Sequence, residues 1–477
     1  MTTISLPLVQ PSTTTAPTNT GSTCASAGCE SAETSKPTTV GNYFVANYPP
    51  FGFWTPDGVG RLNDALNRPP TPGVELGLYA HIPFCRKRCH FCYFRVYTDK
   101  NAGEIRAYID ALLHELAEYA RRPIVTGSGG GGGSSAPARK PSFIYFGGGT
   151  PSYLSVEQLL TLTEGMKRIL PWDEAREVAF EAEPGTLNEA KLKALRSMGV
   201  TRLSLGIEHF DDHVLETNGR AHRSKEILRA YAWARDAGFA QINVDLIAGM
   251  VEETDERWRE TVERTLALAP DSVTIYQMEV PYNTTIYQRM KAEGKLEAPV
   301  ASWETKRRWV REAFARFEAS GYSVTSATTV ARDATRQEFL YRKGLFDGTD
   351  LIGVGVSAFG HVNGVNYQNQ HDFGPYIDSV RAGRGAAFRA YALNHDERYI
   401  REFGLQLKGG SVSASAFAEK FGRHPLDRFA TEIQALRQSG HMFVEGDRVG
   451  VTRSGLMEVD RLIFNFFRPE HRTGRFA

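Results

Sequence analysis

Leu78-Tyr-Ala-His-Ile-Pro-Phe-Cys85-Arg-Lys-Arg-Cys89-His-Phe-Cys92-Tyr-Phe94 joins a strand signal to a chemical one. Residues 78–82 form a short β-rich run that stops at Pro83. Three thiols then follow within eight residues, on the loop that leaves the strand. The chain has 477 residues and five cysteines, and the other two, Cys24 and Cys29, lie far upstream. Clustered thiols in a cysteine-poor chain of enzyme size read as a metal site in a reducing compartment, not as a disulfide framework.

Further β-rich runs fall at 143–146, 178–181, 202–205, 242–247 and 272–277. Between them lie amphipathic stretches at 104–121, 156–169, 189–197, 224–237 and 255–268. Within the first of these, Leu112, Leu113, Leu116 and Tyr119 recur at helical spacing. Strand–helix repetition implies parallel strands with helical crossovers. Six such units predict an α/β fold built on a partial (β/α)6 barrel, with its site at the C-terminal ends of the strands. Residues 1–40 are rich in Ser, Thr, Pro and Ala and are expected to be disordered. Residues 41–75 read as an N-terminal extension, 76–330 as the barrel, 331–392 as a segment closing the barrel over substrate, and 393–477 as a small helical, winged-helix-like domain. Residues 127–135, GSGGGGGSS, read as a flexible linker.

A net charge of +1 gives no global reason for nucleic-acid binding, and the C-terminal domain has no concentrated basic helix. No run reaches the ~18 apolar residues of a membrane span. The tail lacks a secretory apolar core and contains no Arg, so a cytoplasmic location is expected. A monomer is expected as well.

Three thiolates on one loop can hold three corners of an iron–sulfur cubane and leave the fourth iron open, which is a catalytic feature. A sulfonium cofactor can chelate that iron through its amino and carboxylate groups. Zinc, with His81 or His90 as fourth ligand, is the alternative. Gly147-Gly-Gly-Thr150 at the end of the second strand offers close backbone approach and free N–H groups. Glu181 and Glu183 end the third strand, and Glu208 ends the fourth. Asp245 sits inside the apolar run Asn243-Val-Asp-Leu-Ile247, where a carboxylate needs a partner; Arg220 is the expected one.

The Cys-x3-Cys-x2-Cys loop after a first strand resembles the radical S-adenosylmethionine superfamily. Tyr79-Ala-His-Ile-Pro-Phe84 is similar to the oxygen-independent coproporphyrinogen III oxidase family and its relatives, over roughly residues 76–370. The resemblance implies a [4Fe-4S] cluster on Cys85, Cys89 and Cys92. It implies S-adenosylmethionine contacts from Tyr79, Phe91, Gly148, Glu181 and Phe359. Gly149, Thr150, Glu208, Arg220 and Asp245 would border a second S-adenosylmethionine, with Glu208 standing where the oxidases have Gln. It also implies an electron donor such as flavodoxin or ferredoxin.

Three activities compete under this resemblance. The first is oxidative decarboxylation of a porphyrinogen. Arg86, Lys87, Arg88 and Arg95 suit its carboxylates, or are simply a solvated basic loop. The oxidases carry a further cysteine two residues after the third, where Phe94 stands here. The second is haem chaperoning. Those relatives have a His-Asn-x-x-Tyr-Trp signature, and only Tyr341 of it survives in the aligned Gln337–Arg342 stretch. The third is radical methyl transfer or cyclopropane formation with two S-adenosylmethionines. Asn366 and Asn369 are expected to line the substrate region or to satisfy loop backbone.

Overall fold

The computed structural model describes residues 44–127, 138–295 and 299–472. The expected disordered tail with Cys24 and Cys29, and all but Gly127 of the glycine–serine linker, lie outside the described residues. The first six strands are β1 (Leu76–Ile82), β2 (Phe143–Gly148), β3 (Glu177–Ala182), β4 (Arg202–Glu208), β5 (Gln241–Ala248) and β6 (Ser272–Gln277). They lie side by side in chain order, all parallel. The crossovers between them are the five expected helices, here Ala102–Ala120, Val156–Ile169, Glu189–Ser197, Ser224–Asp236 and Asp255–Leu268. Their starts follow from capping side chains. Asn101 with Glu104 and Ser155 with Gln158 form reciprocal capping boxes, and Asn188 and Thr254 each accept from a first-turn N–H.

The sheet does not end with these six. β7 (Ser323–Val324) and β8 (Thr329–Ala331) add antiparallel strands beside β6. β9 (Asp350–Val354) returns to lie parallel to β1 on its free side, with Leu76 opposite Asp350 and Ala80 opposite Val354. β10 (Phe359–Val362), β11 (Val365–Asn369) and β12 (Ala387–Ala392) continue outward as antiparallel strands. The twelve strands run in a linear order with β12 and β7 at the edges, so the sheet is an open rather than a closed barrel. The 331–392 segment thus supplies four strands of the sheet, β9 to β12, together with the helix Leu340–Asp347 beside the cavity, and β1 is an interior strand.

Alternation along the strands decides which face does what. On β4, Leu203, Leu205 and Ile207 are fully buried against the helices, while Ser204, Gly206 and Glu208 face a cavity. On β5, Ile242, Val244 and Leu246 are buried the same way, and Asn243, Asp245 and Ile247 face the cavity. Each outer-face Leu, Ile or Val contributes roughly 1.5–3 kcal/mol. The inner face is free to carry polar groups at a spacing of two.

Residues 44–75 cover the far edge. Thr55 pairs with Ala390, and Phe51 and Trp54 pack on Phe359 at 4.7 and 5.8 Å between ring centroids. The C-terminal part has a three-stranded sheet of β13 (Ser411–Ser413), β14 (Met442–Glu445) and β15 (Arg448–Val451) in the order β13-β15-β14. It packs through Tyr399, Phe403, Phe417, Phe429 and Phe466. Buried Lys408 ties it inward through Val45 O at 2.9 Å and Asp460 Oδ1 at 2.7 Å. Among the described residues no helix is long and apolar enough to cross a membrane.

Candidate active site

A cavity of about 490 Å3 opens over the C-terminal ends of β2 to β6, and all three loop cysteines line it. Burial pushes the Cys85 thiol up to about 11 and the Cys92 thiol to about 12. Bare buried thiolates are therefore costly, and soft cations would offset that cost. Arg220 Nη1 donates to Cys89 Sγ at 3.2 Å, a contact that favours anionic sulfur. Thr150 Oγ1 lies 3.2 Å from Cys85 Sγ. Gly149 passes so close that a Cβ there would sit 3.1 Å from Cys85 Sγ and 3.0 Å from the Pro83 carbonyl carbon. Among the described residues no three His, Cys, Asp or Glu side chains are grouped to hold one metal ion. The loop offers three soft sulfur donors around one open space, and that donor set fits a cubane with a free corner. The zinc alternative expected His81 or His90 as ligand. His90 Nδ1 is instead bonded to Thr217 O at 2.9 Å, and His81 Nδ1 to the Tyr79 hydroxyl at 2.8 Å.

Behind the loop, His81 is buried and its Nε2 has no partner. Burial pushes its imidazole down to about 4, so the ring is neutral at pH 7. Tyr79 does not line the cavity; it stacks behind Tyr145 and Tyr341 at 5.7 and 5.8 Å. Phe91 does line it, backed by Val214, Met250 and Met278. Glu181 accepts from Gly148 N at 3.1 Å and from the Tyr145 hydroxyl. Its pKa is raised to about 7, first by burial and then by the nearby Asp245 and Glu208. This pairing of a glycine-rich strand end with a carboxylate suits an ammonium-bearing ligand.

The expected partnership of Asp245 with Arg220 is not formed. Asp245 accepts from Ser204 Oγ and Asn243 Nδ2, both at 2.9 Å, and burial raises it to about 6. Arg220 instead faces Glu208 Oε1 at 3.5 Å, Gly206 O at 2.6 Å and Cys89 Sγ. The reason is a register shift between Gly206 and Glu208, with Glu208 at φ 65°. A bulge in this left-handed conformation re-aims the side chain. Burial and then Asp245 raise Glu208 to about 7, against the pull of Arg220.

Two contacts were not anticipated. Arg86 pairs with Glu183 at 3.0 Å, and buried His222 donates to the same carboxylate at 2.8 Å. Burial alone would raise Glu183, but His222, Arg220 and Arg86 hold it at about 2. Glu183 also accepts from Gly185 N and so caps the turn that follows β3. The basic loop is largely engaged: Arg88 donates to Cys92 O and Asn283 O, and Arg95 pairs with Asp372.

Phe359 stands apart from the site, packed on Phe51 and Trp54 and outside the cavity lining. Asn366 and Asn369 also turn away. Asn366 donates to Tyr48 O at 3.0 Å and Asn369 to Glu115 Oε1 at 2.7 Å, both buried. The far wall carries groups not read as site residues: Tyr145, Tyr276, Phe339, Tyr341, Arg202 and Arg342. The period-two pattern Arg202-Leu-Ser-Leu-Gly-Ile-Glu208 was the available signal for Arg202. Gln337, where the chaperone signature has its His, bonds to Asp333 N and Asp271 and does not line the cavity.

A sequence profile described as the Radical SAM superfamily matches residues 79–265. The haem chaperone HemW of Bacillus subtilis is 30% identical over 79% of this chain and 95% of its own length. The oxygen-independent coproporphyrinogen III oxidase of Escherichia coli is 27% identical over 85% of this chain and 89% of its own. The solved structure of the E. coli oxidase HemN, described as a radical SAM enzyme, superposes with a TM-score of 0.75 at 26% identity, covering 89% of this chain and 96% of that one. The chain belongs to the radical S-adenosylmethionine superfamily, in the family that holds the oxygen-independent coproporphyrinogen III oxidases and their HemW relatives. Its cofactors are those of that superfamily, a [4Fe-4S] cluster and S-adenosylmethionine.

Proposed function

We propose that this chain is a radical S-adenosylmethionine enzyme that abstracts hydrogen from a porphyrinogen-like substrate, with loss of CO2 from a propionate to leave a vinyl group. The observation that carries the reading is one cavity with three loop thiols at one end and a mostly aromatic wall at the other. Cys85, Cys89 and Cys92 would hold the cluster, which when reduced and bound to S-adenosylmethionine supplies a 5′-deoxyadenosyl radical. Gly148 and Glu181 would hold the methionyl ammonium, and Phe91 would border the adenine. Gly149 keeps the second strand pressed against the cysteine loop, and Arg86 with Glu183 fixes the loop's outer side. Phe94, 46% exposed and packed on Tyr93, and Tyr276, 43% exposed, present ring surface to the cavity, suited to a planar apolar body. An acidic flavodoxin or a ferredoxin would supply the electron, and a second acceptor would take the one left after decarboxylation.

A second reading is radical methyl transfer with two S-adenosylmethionines. Thr150, Glu208, Arg220 and Asp245 all face the same cavity, which supports it. Haem chaperoning is less well supported, because Gln337 replaces the signature His and turns away from the cavity.

Anaerobic reconstitution with iron and sulfide, followed by S-adenosylmethionine, dithionite and coproporphyrinogen III, tests the proposal. Decarboxylation gives 5′-deoxyadenosine and a product lighter by CO2 and two hydrogens per converted propionate. Formation of S-adenosylhomocysteine instead points to methyl transfer. A cluster-replete sample that forms no 5′-deoxyadenosine refutes both.

A further inference from the structure

The far wall of the cavity holds two guanidinium groups and no ion pair for either. Arg342 Nη1 donates to Ser326 Oγ at 2.8 Å and to Thr329 Oγ1 at 2.6 Å. Arg202 donates to Gln241 and to Ser272 Oγ, and its guanidinium lies 4.6 Å from the centre of the Phe339 ring. Both line the cavity. Among the described residues no carboxylate lies within ion-pair distance of either guanidinium, although Glu338 and Glu177 act on Arg342, and Glu177 and Asp245 on Arg202, electrostatically from further off. Of the other cations lining the cavity, Arg86 pairs with Glu183, Arg220 with Glu208 and Lys408 with Asp460, while Lys87 and Arg88 sit at the opposite, cysteine-loop end, Arg88 bonded to the Cys92 and Asn283 carbonyls.

Two neighbouring cations with no directly paired anion are expensive in a desolvated site. Burial and then Arg202 push Arg342 down to about 10, still charged at neutral pH. Hydroxyl partners satisfy hydrogen-bonding geometry but leave the charge without a directly paired anion. A planar guanidinium in that position is matched by a carboxylate, which it can grip with two parallel bonds. The wall around it is aromatic, through Tyr276, Tyr341 and Phe339.

We propose that Arg342, backed by Arg202, is the subsite for a carboxylate arm of the substrate, whose planar body rests against the tyrosine wall. The assignment rests on the tetrapyrrole reading above and deepens it: the arm would be a propionate away from the reacting one. Arg342 is then a specificity-determining residue.

The test uses the full chain with its cluster reconstituted, and two probes followed by fluorescence quenching. Coproporphyrin III carries four propionates; its tetramethyl ester has the same ring without charge. The wild type should bind the acid more tightly than the ester. Arg342→Gln should weaken the acid about 10- to 100-fold and leave the ester unmoved, with Arg342→Lys between them. The ester measurement on each variant reports whether the cavity has kept its shape. Acid binding unchanged by Arg342→Gln overturns the assignment, as does an equal loss for acid and ester. Loss of S-adenosylmethionine affinity with coproporphyrin affinity retained also overturns it, since the anion would then be the cofactor's carboxylate. A wild type that binds neither porphyrin refutes the tetrapyrrole reading itself, and the assignment falls with it.

Discussion

Gly148→Ala tests the architecture of the site at its tightest point. Gly148 has φ 119°, a conformation that L side chains rarely adopt. A Cβ there would stand 2.7–2.9 Å from three atoms of the His81 ring. That ring cannot swing away, because it is buried and bonded to the Tyr79 hydroxyl, and Tyr108 bonds its backbone carbonyl at 2.7 Å. The backbone conformation costs about 1–3 kcal/mol, and the overpacking about another 1–3 kcal/mol. The sum, about 2–6 kcal/mol, should appear in urea denaturation of the apo chain. Gly148 N also holds Glu181, so S-adenosylmethionine affinity in the reconstituted protein should fall as well. The two contributions separate in a double-mutant cycle. His81→Ala removes the steric part, so the double variant should be less destabilised than the two singles added together, by about 1–3 kcal/mol. Gly60→Ala is the control: nothing lies within 4 Å of its Cβ, and it sits in the helix Val59–Leu66. It should be neutral, or stabilising by about 0.5–1 kcal/mol. Strict additivity of Gly148→Ala and His81→Ala would refute the reasoning, as would a Gly148→Ala stability within 1 kcal/mol of wild type.

Glu115 is buried, accepts from Gly355 N, Tyr376 and Asn369, and is raised by burial to about 7. Between its ordinary value and 7 the folded state holds a proton that the unfolded state has lost, so stability falls as pH rises through that window. Glu115→Gln should flatten the melting temperature between pH 5 and 8 and raise it at pH 8; a variant with the wild-type pH profile counts against this assignment. Asp350→Ala strands Arg139, its partner at 2.9 Å, and takes an acceptor from Asn363 N, so a loss of about 3–5 kcal/mol is expected in denaturant titration. Arg220→Met removes the donor to Cys89 Sγ and should lower the reduction potential of the reconstituted cluster by ~40 mV in an EPR titration, the equivalent of one hydrogen bond.

The repeating core was legible because its determinants are local. Ser155, Asn188 and Thr254 each sit directly before the helix they cap, and the 156–169, 189–197 and 255–268 stretches stand as helices with the expected limits. The cysteine loop was legible for the same reason. β9 was not, because its partner β1 lies about 270 residues away and a strand of only five residues says nothing about where it will pair. Glu208 was legible as a strand-end carboxylate, but its partner was not. The pairing with Arg220 depends on the bulge, and only the alternation around Asp245 hinted that β5 keeps a polar inner face. Phe359 was expected at S-adenosylmethionine from the family resemblance. The turn at Gly355–Ser357, with φ 102° and 61°, sends β10 outward, so the ring meets Phe51 and Trp54 instead.

The late return of β9 has a consequence for how the chain is made. The strand that delivers the cysteine loop is flanked by β2 on one side and by β9 on the other. At 5–20 residues per second, β9 leaves the ribosome roughly 13–54 s after β1. Throughout that interval the strand offers an unpaired edge to solvent or to other nascent chains. Iron–sulfur loading during synthesis would find a loop whose base is held on one side only. Completion of the centre is thus bound to a segment translated long after its ligands, and a truncation just before Asp350 should yield a protein that aggregates even though every cysteine of the loop is present.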